Sequence, residues 1–286
     1  MAETATRKVV REACADTLGL LLQVTVDAKI DTDTYTINAL ADVSPDPERM
    51  RDSFLYSPVE LEFRRILNFG YPTTNNVDIS RAYTHDLGAA TAAQIYFMLT
   101  PAEWDSVINE VLPEFYYIDR LTVVPIASTT EYSLATATWL QTKGQVLNVF
   151  FEHKTTKIPE AVGSYEFTEA ANVLKLILHV YPPSADTYNI VVEARHNYGT
   201  LATDVATTTC PRDLWFNAVQ VGGLHRIFKK YGTNIKRLFG QAVMIAERDL
   251  AAAKARSLPP LVSRQYHIDM AWSGPDFGFL PEEAAW

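Results

Sequence analysis

The chain has 286 residues, 48% hydrophobic and 21% charged, which is typical of a globular protein with a sizeable buried core. Two cysteines, Cys14 and Cys210, are too few for a disulfide framework or a four-cysteine zinc site, so we expect packed, reduced thiols. The longest apolar run near the start, residues 18–22, is too short for a signal peptide or a membrane span. We therefore expect a protein that folds in the cytoplasm, or in a particle assembled there.

The net charge of −9 is unevenly distributed along the chain. The stretch from Arg212 to Arg264 holds ten basic and three acidic residues, a local net charge of +7. Such an asymmetry indicates either a face that meets nucleic acid or an acidic partner, or an ordinary solvated helix face. Composition alone leaves both interpretations open.

The first predicted element is a helix over about 6–26. Apolar residues recur there at a spacing of three to four, from Val9 to Val24, with charged residues between them. We assign residues 1–30 to an N-terminal helix that packs with the helices at the C-terminal end.

Residues 31–208 are predicted to form a β-rich module, because they alternate in polarity and are rich in β-branched and aromatic residues. Strands are expected at 35–39, 59–67, 76–83, 93–99, 119–125, 145–153, 173–181 and 188–197. Turn signals with glycine and proline separate them, which favours an antiparallel β-sandwich or barrel-like module. One helix is inserted near 101–115, since Thr100 and Glu103 form a capping box with Pro101 at the first helical position.

Residues 209–257 are predicted to form a helical hairpin, which makes the fold class α+β. The first helix opens at Pro211 and ends before Gly232, its C′ residue, and Thr233 is the expected N-cap of the second helix. So short a link between helices predicts an antiparallel pair. The dipeptide 222–223, two glycines inside the first helix, predicts close packing or a kink.

The final stretch, 258–286, has a pair of prolines at 259–260 that stops the second helix, shows no periodicity after them and is predicted to be an extended docking tail. A segment too short for a core of its own that nevertheless carries several aromatic rings is expected to dock, on its own protein or on a neighbour. The predicted docking residues are Tyr266, Trp272, Phe277, Phe279 and Trp286.

No motif for catalysis was found. The six histidines lack metal-binding spacing, and neither a glycine-rich phosphate loop nor a serine nucleophile elbow is present. We therefore expect no catalytic residue, no metal, no cofactor and no enzyme.

The basic residues Lys229, Lys230, Lys236 and Arg237 flank the turn at Gly232 and would concentrate positive charge at the tip of the hairpin. Such a tip could contact DNA phosphates without sequence specificity, or an acidic protein surface.

The residue pattern resembles neck proteins of tailed bacteriophages, the ring-forming head-to-tail adaptors, also called connectors. The resemblance is carried by the segments 62–66, 77–83, 95–104 and 107–112, and by 214–216, 239–242 and 251–256 within the helical hairpin. It covers most of residues 58–257 and consists of patterns of residue type rather than signature motifs.

The resemblance implies a structural virion protein that forms a homo-oligomeric ring, usually of twelve copies, docked beneath the portal protein. Such a ring continues the DNA channel toward the tail and contacts DNA without sequence specificity. Its further partners would be tail or neck proteins, and no contact with a membrane is expected. A C-terminal extension often anchors these adaptors to the portal. Many adaptors are shorter and mainly helical, so a tail terminator or another neck ring is an alternative.

A different class of function is a carbohydrate-binding β module with helical flanks. Aromatic residues such as Tyr116, Tyr117 and Trp139 would then line a groove.

Overall fold

The computed structural model describes residues 4–42, 52–70, 75–85, 87–170, 173–232 and 235–257. They divide into two compact units. Unit 1 comprises the described residues of Met1–Tyr117 and Asn197–Pro259, and unit 2 those of Ile118–His196. The β-rich region predicted at 31–208 therefore contributes strands to both units, and the α+β class with antiparallel sheets, an N-terminal helix and a C-terminal helix pair is confirmed.

The described helices are α1 (Arg7–Thr17), α2 (Pro101–Val111), α3 (Arg212–Tyr231) and α4 (Lys236–Ser257). Short 3-10 helices lie at Asn38–Asp42, Leu112–Glu114 and Lys143–Gln145. The strands are β1 (Ala5–Thr6), β2 (Leu21–Val26), β3 (Ala28–Lys29), β4 (Thr34–Thr36), β5 (Phe54–Ser57), β6 (Glu62–Phe69), β7 (Asn76–Ile79), β8 (Thr91–Tyr96), β9 (Tyr116–Val123), β10 (Glu131–Ser133), β11 (Val146–His153), β12 (Pro159–Ala161), β13 (Tyr165–Ala170), β14 (Val173–Leu178), β15 (Tyr188–Asn197) and β16 (Thr207–Thr208).

The helix predicted over 6–26 is wrong beyond Thr17. Thr6 caps α1 as the spacing requires, accepting a hydrogen bond from the Val9 amide. Gly19 then adopts a left-handed φ of +65°, which ends the helix. The residues that follow form β2, which pairs antiparallel with β8 along its whole length.

Seven strands of unit 1 form one antiparallel sheet in the order β2-β8-β5-β6-β7-β4-β3. Its two end strands, β2 and β3, are separated in the chain only by Asp27, so the two ends of the sheet meet at this residue. The apolar side chains of Leu55 and Ile95 lie opposite each other and are fully buried, as is Tyr35.

The helices of unit 1 pack closely because α3 carries two glycines where it meets α2. A Cβ atom built on Gly223 would lie 2.4 and 2.5 Å from the Trp104 ring, and one on Gly222 would lie 2.8 Å from Val107. Close packing, one of the two predictions for this dipeptide, is therefore confirmed. Gly232 ends α3 with a φ of +79°, also as predicted.

A buried ion network ties α1 and α2 to the segment before β16. Arg11, only 1% exposed, donates to Asp105 and to Asp204 at 2.8 Å each, and Arg7 also pairs with Asp204. Burial alone would raise the pKa of Asp204, but hydrogen bonds and charge from the two arginines lower it to about 2. Burial raises the pKa of Asp105 despite the same arginines. Because every member is paired, the buried charge of Arg11 is compensated by the two carboxylates.

Unit 2 is a β-sandwich, one of the two predicted forms. Its two antiparallel sheets have the orders β10-β14-β13 and β12-β11-β15-β9. Leu176 of the first sheet and Val149, Ile190 and Val192 of the second belong to one hydrophobic core, so the sheets pack face to face.

Candidate interaction surfaces

The predicted docking tail lies outside the described residues. Its aromatic residues are Tyr266, Trp272, Phe277, Phe279 and Trp286. The docking role of these side chains stays a prediction.

The four basic residues at the turn between α3 and α4 are not equivalent. Lys229 is exposed. The ammonium of Lys230 instead donates to the Met98 carbonyl at 3.0 Å and to the Glu103 carboxylate at 3.2 Å. Lys236 and Arg237 begin α4, and their side chains lie outside the described part of the structure.

Lys230 contacts the residues that cap the N-terminus of α2. Glu103 accepts from the Thr100 amide at 2.7 Å, and Thr100 Oγ1 accepts from the Glu103 amide at 3.1 Å, which is the predicted capping box. The Lys230 ammonium also lies above the rings of Phe54 and Tyr231, at 5.7 and 5.4 Å from their centres. With these partners, Lys230 joins the end of α3 to α2 and to β5 of the seven-stranded sheet.

One face of α4 is packed and another is exposed. Phe239, Ala246 and Ala253 recur every seven residues and are buried. Away from this stripe, the side chains of Met244 and Ile245 are 72% and 44% exposed. We call these two residues the α4 patch.

A second exposed apolar surface lies on the β5–β6 hairpin. Val59 and Leu61 in its turn are 73% and 63% exposed, and Phe63 and Leu67 on β6 are 36% and 65% exposed. We call these four residues the hairpin patch. Leu61 adopts a φ of +55°, a left-handed conformation that leucine rarely takes.

Sequence reasoning missed the hairpin patch because it placed residues 59–67 on one strand. The alternation of apolar and charged residues at 59–63 implied that the apolar side chains face a core. In the structure residues 58–61 form a turn and β6 begins only at Glu62. Pro58 was the available signal, since proline is favoured in turns.

The aromatic residues of the carbohydrate alternative are all half-buried. Tyr117 packs against the Tyr198 ring, with 5.1 Å between ring centres. Trp139 stacks on the imidazole of His196 at 4.6 Å, which covers one face of the indole. A sugar-binding platform needs an open ring face.

The described residues hold no group of three His, Cys, Asp or Glu side chains placed to bind a metal ion. Cys14 and Cys210 are both free and buried, and burial raises the pKa of the Cys210 thiol to about 12. None of the helices that the structure describes has the length and hydropathy needed to cross a bilayer.

The chain matches no protein-family model, no curated protein and no solved structure. The surfaces of unit 1 include an apolar hairpin, a partly apolar helix face and two exposed lysines, Lys229 and Lys230, at the end of α3.

Proposed function

We propose that this protein is a structural subunit of a tailed-bacteriophage neck, forming the head-to-tail adaptor ring beneath the portal. The observation that carries the proposal is the exposed apolar surface of unit 1, on the hairpin patch and on the α4 patch. Clustered exposed apolar side chains mark sites of protein association. A subunit in a ring needs two different contact surfaces, because it meets one neighbour on each side.

The C-terminal stretch supplies the proposed contact with the portal. It follows α4 in the chain and carries five aromatic residues among glycine, proline and acidic residues. Aromatic residues are enriched among the few side chains that dominate binding energy at interfaces. Under this proposal the rings bury against the portal protein.

Contact with DNA in the channel is assigned to the basic turn between α3 and α4. Lys229 and Lys230 are both exposed there, but the Lys230 ammonium is held by Glu103 and the Met98 carbonyl, so Lys229 is the lysine that we assign to this contact. A contact of this kind is non-specific and weakens as salt rises.

The test is the native mass of the full-length protein, alone and with the portal protein of the same phage. We expect a closed ring, twelvefold by resemblance, that binds the portal. A strict monomer under both conditions contradicts the proposal.

The tail assignment is tested by replacing Trp272, Phe277 and Phe279 with serine in the full-length chain. The ring should persist, while portal affinity should fall by at least about 100-fold, since one hot-spot ring contributes about 2 kcal/mol or more. Tyr181→Ser is the matched control, because this ring is 71% exposed in unit 2. Equal portal binding by both variants would exclude the tail as the docking segment.

A further inference from the structure

We infer that residues 264–268 of one copy add a strand to the free edge of β13 in a second copy of this chain. This inference rests on the proposed function, because it takes ring formation as given and names one contact between neighbouring copies. It assigns Tyr266 to that contact and leaves the four aromatic residues that follow in the sequence, from Trp272 to Trp286, for the portal.

The acceptor is an edge strand whose free side follows from its register. β13 lies at the end of the sheet β10-β14-β13, and no described strand pairs with its other side. The His179 amide donates to the Ser164 carbonyl at 3.1 Å, and these two residues continue the register of β13 with β14. Hydrogen bonding alternates along an antiparallel pair of strands. The backbone groups of Tyr165, Phe167 and Glu169 therefore point away from β14, toward the free edge.

This edge is regular and open. Its six residues include neither proline nor lysine, which commonly protect edge strands. Glu166, Thr168 and Glu169 are exposed. Tyr165 is 36% exposed, although it lies on the same face as Phe167, which packs against the core of unit 2. Another extended chain can continue the sheet at an edge of this kind.

The C-terminal stretch contains one segment with a matching pattern. Taken as a whole, residues 258–286 have no period, but from 262 to 270 apolar and polar residues alternate. The apolar set is Val262, Tyr266, Ile268 and Met270. Arg264 is the one exception on that side, and the odd positions between them are all polar. In an extended chain the two sets face opposite sides, as they do in a strand at the edge of a sandwich.

One antiparallel register brings the apolar side chains of the two segments together. With Phe167 opposite Tyr266, two aromatic rings form a cross-strand pair, and Tyr165 then falls opposite Ile268. Both pairs lie on the face of β13 that packs against the core of unit 2. The added strand would therefore extend that core and cover the exposed part of Tyr165.

The same register brings complementary polar groups together. Glu166 and Glu169 give β13 two negative charges, and neither forms an ion pair with a described cation. Glu169 accepts a hydrogen bond from the Lys143 amide at 3.1 Å, which is a neutral donor. In this register Arg264 lies opposite Glu169, and the His267 imidazole lies opposite Glu166. Opposite charges that face each other across two strands stabilise the pairing.

The neighbouring registers fit less well. A shift of two residues in one direction places Asp269 opposite Glu166, and like charges directly opposite each other destabilise a strand pair. A shift in the other direction places Arg264 opposite Phe167 on the core-facing side. A shift of one residue would turn the apolar set to the solvent face.

The occupant is a second copy because a ring requires a contact between two different parts of identical chains. Each copy would give its C-terminal segment to one neighbour and receive a segment from the other at β13. Such a heterologous contact generates a closed ring when the rotation is suitable. Two copies of a self-complementary edge would form a dimer instead.

The experiment is disulfide cross-linking of the full-length protein. Glu166 and His267 would form a non-hydrogen-bonded pair with Cα atoms about 4.5 Å apart, a distance that a disulfide spans. Glu166→Cys combined with His267→Cys should therefore give covalently linked multimers on a non-reducing gel. Glu166→Cys with Gln265→Cys is the matched control and should stay monomeric, because these Cα atoms would lie about 7–8 Å apart. The two native cysteines are buried and should stay unreacted.

Mixing the single variants identifies the chain that supplies the strand. Chains with Glu166→Cys alone and chains with His267→Cys alone should form linked dimers when mixed. A disulfide that forms only within single chains of the double variant overturns the assignment to a second copy.

Proline substitutions test the backbone pairing. The amide of Ile268 would donate to β13, whereas that of Gln265 would face away from it. The ring of Ile268→Pro should dissociate at least about tenfold more readily than that of Gln265→Pro in sedimentation velocity. Equal dissociation of the two variants overturns the strand addition.

The outcomes also separate this inference from the proposed function. A wild-type protein that never associates removes the ring itself. A ring that remains intact while Glu166→Cys with His267→Cys leaves its chains unlinked overturns the β13 contact alone.

Discussion

Replacing Gly223 with alanine measures how closely α2 and α3 approach. The added Cβ would lie 2.4 and 2.5 Å from two carbons of the Trp104 ring, which is fully buried and cannot swing into solvent. Alanine in a helix interior gains about 1 kcal/mol over glycine. Overpacking a filled core costs about 1–3 kcal/mol or more, and a rigid ring at this distance lies at the upper end. We therefore expect a net destabilisation of about 2 kcal/mol.

The assay is urea denaturation followed by far-UV circular dichroism, since all four described helices belong to unit 1. Gly240→Ala is the matched control, because Gly240 lies within α4 and no atom stands within 4 Å of its added Cβ. That change should stabilise the protein by about 0.5–1 kcal/mol. Trp104→Phe removes the ring atoms that clash, so adding it to Gly223→Ala should cost less than the two single changes summed. If Gly223→Ala instead stabilises the fold as Gly240→Ala does, the packing argument is refuted.

Two further predictions concern the ion network and the lysine at the helix turn. Asp204→Asn should destabilise the fold by about 2–3 kcal/mol at neutral pH, because Arg11 and Arg7 lose a charge partner that lowers the pKa of Asp204 from 3.8 to about 2. The pKa of Asp204 is about 2 in the folded protein, compared with 3.8 for an unperturbed aspartate. The stabilisation from its ionised form is therefore present above pH 3.8 and is lost as the pH falls to about 2. The urea midpoints of the wild type and this variant should converge over that pH range. Lys230→Met should cost about 1 kcal/mol and leave DNA retention unchanged, whereas Lys229→Met should leave stability within about 0.5 kcal/mol and reduce retention at low salt.

Local chemistry made several elements predictable from sequence. The capping box at Thr100 and the left-handed glycine at 232 each satisfy backbone groups at a helix end, so neighbours alone specify them. The glycine pair at 222–223 predicted close packing, but which ring packs against it, that of Trp104, depends on the tertiary fold.

The N-terminal segment shows where periodicity fails. The leucines that follow Thr17 fit a helical stripe, yet they also suit a strand, and pairing with β8 decides between the two. That pairing joins residues about 70 positions apart. Only Gly19 interrupts the pattern locally, and a single glycine is tolerated within many helices.

In the hairpin patch, alternation of apolar and charged residues accompanies exposure of the apolar side chains, whereas it usually indicates that they are buried. Val59, Leu61 and Phe63 alternate with charged residues as a core-facing strand would, but their side chains are exposed. Their charged neighbours at 60 and 62 bind His85 and Thr84 instead of solvent alone. A pattern that predicts burial, found on an exposed surface, is the behaviour expected of a face buried by another chain.

The elements that carry the two apolar patches, β6 and α4, both contribute buried residues to the same hydrophobic core. Ile66 is the buried residue of β6, the strand that carries part of the hairpin patch, and Phe239 and Ala253 are buried residues of α4. All three belong to the hydrophobic core of unit 1. The buried arginine network holds α1 and α2 against that core as well. The angle between the two patches is therefore fixed by close-packed side chains rather than by a flexible link. In a ring built by heterologous contacts that angle sets the rotation from one copy to the next, so the rigidity of unit 1 would determine whether the ring closes and with how many copies.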